Sequence, residues 1–165
     1  MNEKYIQMLL MQDCLHGRQH KIAVPNSTQL MWGEVDLLSV TKAGLVHDFE
    51  IKCSKSDYNR EIGPNHKYNK QGKHWRLQHP ETYANYNPSP VPNYFWFVTY
   101  GFEIEPPDYA GWMTVEEWGY TKKLGLIERK KAPMLHRGKW NDSQIVKIAR
   151  LLSYRLLKVY EKEMK

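Results

Sequence analysis

Three residues in the first third of the chain have the types and spacing to do chemistry: Asp36 and, fourteen positions on, the start of Glu50-Ile51-Lys52. Asp36 lies in Gly33-Glu34-Val35-Asp36-Leu37-Leu38, and the other two lie in Asp48-Phe49-Glu50-Ile51-Lys52. Side chains alternate across a strand, so Glu50 and Lys52 share one face while Phe49 and Ile51 share the other. The apolar pair is expected to face a core, with the charged pair held on a rigid strand beside Asp36. Two such carboxylates can hold a hard divalent cation, Mg²⁺ or Mn²⁺, through oxygen ligands. The cation lowers the pKa of a bound water and stabilises charge developing on a phosphate. Lys52 can position that water or neutralise the transition state. With a lowered pKa it could also serve as a base.

An isolated Glu-x-Lys on a strand is ordinary surface charge pairing. Its weight here comes from the elements that carry it. Trp32 to Val40 and Leu45 to Cys53 both read as strands, and Thr41-Lys42-Ala43-Gly44 between them is a hairpin-length connection with glycine. That connection makes the two strands antiparallel neighbours. Upstream, Asn2 to Cys14 reads as a helix on Tyr5, Ile6, Leu9 and Leu10, stopped by Gly17. Lys21 to Val24 reads as a short strand closed by Pro25 and Asn26. Asp57 to Glu61 starts another helix, with Asp57 placed to cap it. The segment 63–93 is polar, basic and aromatic, with prolines at 64, 80, 88, 90 and 92, and reads as a long irregular insertion. Asn93 to Tyr100 is a buried aromatic strand. Gly111 to Val115 and Tyr120 to Lys131 are further strands, the latter with Leu124, Leu126 and Ile127 facing in. A terminal helix, capped from Asn141, Asp142 or Ser143, carries an apolar stripe of Ile145, Ile148, Ala149, Leu152, Leu156 and Val159. The expected fold is α/β, a mixed sheet flanked by helices, in one domain over residues 1–165.

Asp36 followed by Glu50-Ile51-Lys52 resembles the PD-(D/E)XK nuclease superfamily. The run Glu50-Ile51-Lys52-Cys53-Ser54-Lys55-Ser56-Asp57-Tyr58 is similar, more narrowly, to the MmcB-like DNA-repair nucleases. So are the aromatic strand Tyr94-Phe95-Trp96-Phe97-Val98 and the later Lys131-Ala132-Pro133. The resemblance spans about residues 20 to 160, with its weight on 32 to 58. It implies a restriction-endonuclease-like core, metal ligation by Asp36 and Glu50, and Lys52 as the catalytic lysine of a Mg²⁺-dependent DNA endonuclease. The expected setting is DNA repair, recombination, or phage or host DNA processing. Two departures stand out. Val35 replaces the proline that names the superfamily, and 63–93 is longer than a compact member needs.

Accessory acids are Glu34, on the strand face of Asp36, Asp48, on the face of Glu50, and Glu3 of the first helix, ahead of Asp13. Each also has an ordinary reading, as an exposed strand carboxylate or a favourable charge at a helix start. Lys55, Arg60, Lys67, Lys70, Lys73 and Arg76 are candidates for phosphate contact, with Trp75, Tyr68 and His74 for stacking. His47 is expected to point away from Glu50.

The net charge of +6 and pI near 9.2 favour an anionic partner, and DNA is the expected one. No apolar run reaches the roughly 18 residues of a membrane span, so no membrane partner is expected. Cys14 and Cys53 show neither zinc nor disulfide-framework spacing, which suits a reducing, cytoplasmic setting, in a cell or in the host of a virus encoding the chain. Two other readings stand beside the enzyme. One is a DNA-binding module on a nuclease-like scaffold. The other is a Holliday-junction-type resolvase, which would work as a homodimer.

Overall fold

The computed structural model describes residues 2–30, 33–63, 72–83, 85–118 and 123–164. Helix α1 (Glu3–Gln12) runs into a π-helical turn (Asp13–Gly17) and then strands β1 (Ile22–Leu30), β2 (Gly33–Val40) and β3 (Val46–Lys52). Helices α2 (Lys55–Ile62) and α3 (Lys73–Gln78) and a 3-10 turn (Pro80–Tyr83) follow. Strands β4 (Tyr94–Tyr100), β5 (Ala110–Trp118) and β6 (Lys123–Lys130) and the long helix α4 (Asp142–Glu163) complete the order. Trp32, Tyr120, Lys67, Tyr68 and Lys70 lie outside the described residues.

The strands form one six-stranded mixed sheet in sequence order. The chain is thus α/β, with helices on both faces. β1, β2 and β3 pair antiparallel, β2 with β3 as the hairpin length requires; β3, β4 and β5 pair parallel; β6 returns antiparallel. Gly44 closes the β2–β3 turn at φ +82°, where a side chain would be strained. Trp140 donates its backbone N–H to the Gly44 carbonyl at 2.8 Å, so the entry to α4 lies on the hairpin.

One face packs on α1. Leu37, Phe49, Ile51, Trp96, Val98, Met113 and Val115 meet Ile6, Leu10 and Cys14 there. The opposite face carries two separate clusters. Val24, Leu38, Val40 and Val46 pack with Trp140 and Ile148 at α4, while Phe95, Phe97 and Ala110 pack with Tyr58 and Leu77 of α2 and α3. Between them, on the same face of β3, lie Asp48, Glu50 and Lys52. The fold therefore places a polar strip between two apolar cores.

Several sequence expectations need correction. β1 does not stop at Pro25 but continues to Leu30, with Asn26 at φ +50°. It is an edge strand, where a missing N–H is tolerated. Arg155 of α4 donates to the carbonyls of Pro25 and Asn26. Segment 63–93 is not wholly irregular, because α3 forms and buries His74 and Leu77. Its single turn and a half is too short to show helical periodicity. Ser54, not Asp57, caps α2 by accepting the Asp57 N–H at 3.1 Å. α4 starts at an Asn141–Gln144 capping box, but of its expected stripe only Ile148 is buried. Ile145 and Leu152 are half-buried, and Leu156 and Val159 are 51% and 49% exposed.

Candidate active site

Strict alternation would put Val35 and Leu37 on one face of β2. Instead Val35 joins the α4-side cluster and Leu37 the α1-side cluster. The break falls at Asp36, where β2 leaves β3, the ladder having ended at the Leu37–Phe49 pair. The Asp36 carboxylate Oδ2 accepts the Ile51 N–H of β3 at 2.6 Å. Gln7 of α1 donates its side-chain amide to the Asp36 carbonyl at 3.0 Å and to Asn26 Oδ1 at 2.7 Å. Backbone and side chain of Asp36 are thus both anchored.

On β3 the expected alternation holds. Lys52 Nζ donates to Glu50 Oε1 at 2.8 Å, and Lys73, the first residue of α3, donates to Glu50 Oε2. Lys73 also lies 3.7 Å from the wholly buried Asp48 and 4.7 Å over the Phe95 ring. From α2, Glu61 pairs with Lys52, and Asp57 approaches Lys52 at 3.6 Å. His74 Nε2 donates to Glu61 Oε1 at 3.0 Å, and the Tyr109 hydroxyl lies 2.8 Å from His74 Nδ1. The result is a continuous ion and hydrogen-bond network from Asp48 to Tyr109.

Burial, with the Glu50 charge second, pushes the Asp36 carboxyl up to about 7; the Ile51 N–H opposes this and Glu3 adds to it. Burial acts to lower Lys52, but Glu50 and Glu61 outweigh it and hold the ammonium above the usual lysine range. The base role left open for Lys52 is therefore not supported; it stands as a cation and hydrogen-bond donor. Lys73 is likewise held high against burial by Asp48, Glu50 and Glu61. Burial would raise Glu61, but His74, Lys73 and Lys52 outweigh it and keep it below the usual carboxylate range.

The carboxylates Asp36, Asp48, Glu50 and Glu61 thus face two buried ammonium groups, Lys52 and Lys73. Among the described residues, the site holds more carboxylates than ammonium groups. A divalent cation at Asp36 and Glu50 would remove the imbalance. Among the described residues, no group of three or more His, Cys, Asp or Glu side chains is arranged to hold a metal. Mg²⁺ is commonly held by one or two carboxylates, with water and substrate phosphate completing its shell. The residues present fit that mode.

The other candidates divide. Asp48 is on the face of Glu50, as expected. Glu3 is an exposed first residue of α1 whose charge reaches Asp36. Glu34 is exposed on β2 and, among the described residues, makes none of the site's ion pairs. His47 points away from Glu50 and accepts the Trp96 Nε1–H at 3.1 Å in the α1-side core, where burial and then His20 push it down to about 3. Lys55 and Arg60 are exposed on α2, with Arg60 paired to Asp57. Trp75 stacks on His79 with ring centroids 4.6 Å apart, and Arg76 is half-buried. Glu61 and Tyr109 were absent from the sequence-based site. Asp57 and Glu61, four apart on a helix directly after Lys52, were a signal for the first; nothing local marks Tyr109. Cys14 and Cys53 are both free.

No protein-family model and no curated protein matches this chain. Among solved structures it is similar to SPO1766, a protein of unknown function from Silicibacter pomeroyi, with a TM-score of 0.57 and 16% identity over 94% of this chain and 90% of that one. At that identity the likeness shows the fold alone. Among the described residues no helix is long and apolar enough to cross a membrane.

Proposed function

We propose that the chain is a metal-dependent deoxyribonuclease that hydrolyses DNA phosphodiester bonds, with Asp36 and Glu50 holding Mg²⁺ or Mn²⁺ and Lys52 as the catalytic lysine. The observation that carries this reading is the convergence of two carboxylates from adjacent strands, close enough for Glu50 to help raise Asp36, beside a lysine held cationic. Such a cation supplies Lewis-acid stabilisation of phosphate charge and acidification of water. The protein's own part is positional. The Ile51 N–H orients Asp36. Glu61 and Glu50 fix Lys52, so that its ammonium is placed to donate to a phosphate oxygen or to the incoming water. The test is cleavage of plasmid and branched DNA with and without Mg²⁺. Loss of cleavage is expected in Asp36→Ala and Lys52→Ala; activity unaltered in both would sink the proposal.

A second reading, a DNA-binding module that does not cut, draws on a different observation. Glu50 is engaged on both oxygens by lysines and Lys52 is closed in by carboxylates, as in a purely structural ion network. Salt-dependent DNA binding without cleavage across metals and substrates would favour it.

A further inference from the structure

We propose that Lys73 is an internal counter-ion of the active-site carboxylates, occupying Glu50 in the metal-free protein and displaced from it when the metal binds. This rests on the two-carboxylate metal site proposed above. Lys73 lies in the segment that exceeds the compact family pattern, yet its ammonium inserts into the polar strip of β3, on Glu50 Oε2 and 3.7 Å from Asp48. A side chain 12% exposed, held between two carboxylates and over an aromatic ring, is no ordinary surface lysine.

The placement has a reason. Asp48 and Glu50 project from the same face of one strand, two residues apart, and Asp48 is wholly buried. Like charges at that spacing in a poorly hydrated strip repel, and an unbalanced buried charge is costly. Lys73 offsets part of that repulsion without any ion from solution. A metal that takes Glu50 as ligand competes with Lys73 for the same carboxylate.

The architecture permits release. Lys73 opens α3, so its side chain can swing without breaking the helix. The rest of α3 stays anchored through His74 on Glu61 and Tyr109 and through buried Leu77. Once freed from Glu50, the ammonium remains beside the cleavage site as a cation able to meet a phosphate. Metal occupancy would thereby be linked to the availability of a DNA-contacting lysine, and linkage makes the effect reciprocal.

Two measurements on the full chain test this. In the first, calorimetric titration compares Mn²⁺ binding in wild type, Lys73→Met, Lys73→Gln and Lys73→Arg. The neutral variants are expected to bind tighter by about tenfold, within the usual range of such couplings, and Lys73→Arg to stay near wild type. In the second, NMR follows the Lys73 side-chain ammonium of wild type during Mg²⁺ addition. Its signal should shift as the Glu50 pair breaks. This arm needs no variant and stands if the neutral variants fail to fold. Binding unchanged or weakened in folded neutral variants, or a Lys73 signal indifferent to saturating Mg²⁺, overturns the counter-ion proposal and leaves the two-carboxylate site intact. No metal binding by any of the proteins overturns both.

Discussion

The Asp36 carboxylate takes the Ile51 N–H at 2.6 Å, at the point where β2 has left β3 and can no longer supply a carbonyl. A site residue thus completes the backbone bonding of the strand that carries Glu50 and Lys52. Asp36→Asn keeps an acceptor there and removes the charge. With its carboxyl raised to about 7 from an ordinary 3.8, folded wild type holds a proton that the unfolded chain has released. This contribution to stability is present below the ordinary value, is lost as pH rises through that interval, and is fully lost above it. His47, pushed down to about 3, acts in the opposite sense over an overlapping range, so the difference between the two proteins is the diagnostic quantity. Urea unfolding without metal should show Asp36→Asn gaining on wild type between about pH 4 and pH 7. A constant difference would contradict the assigned environment of Asp36.

Lys52→Ala leaves Glu50 and Glu61 without a shared cation in a buried network. Removing one partner of such a network typically costs about 3–5 kcal/mol. The denaturant midpoint should fall accordingly, so activity of this variant must be measured where it is shown to be folded.

Arg60 is exposed and, among the described residues, pairs with Asp57 on its own helix, so Arg60→Ala should leave the unfolding midpoint nearly unchanged. If α2 meets the DNA backbone, the slope of log affinity against log salt should drop by about one. An unchanged slope would move the DNA path off α2.

Gly111 lies under the Trp96 ring, and a Cβ there would also come within 2.7 Å of the Ala132 N. Gly111→Ala should lower stability by about 1–3 kcal/mol through overpacking against Trp96 and the backbone at Ala132. Thermal unfolding at fixed pH checks this, and a neutral effect would show that Trp96 can yield.

The layout of strands was legible because it is local. Phe49 and Ile51 alternate with Glu50 and Lys52, and a glycine turn fixes the hairpin. Parts of the site were equally local: Asp36, Glu50 and Lys52 sit on those two strands. What could not be read was set by tertiary distance. Lys73 reaches Glu50 across 23 positions and Tyr109 reaches His74 across 35, with no periodic pattern to announce either. Even within β2 the alternation rule fails at Asp36, because a strand leaving its neighbour twists out of register with the pleat. The α4 stripe was read correctly as apolar, but its burial was not, since periodicity does not reveal what packs against a helix.

The contact between Trp140 and the Gly44 turn has a consequence for the order in which the molecule is made. The hairpin carrying Asp36, Glu50 and Lys52 leaves the ribosome before the residue that bonds its turn, which comes nearly a hundred positions later. β3 must also wait for β4, its parallel neighbour across a long connection. Pairings of that sequence separation form slowly. A nascent chain would therefore carry Asp36, Glu50 and Lys52 without the clamp that holds their hairpin, and reach a fixed geometry only once Trp140 has emerged.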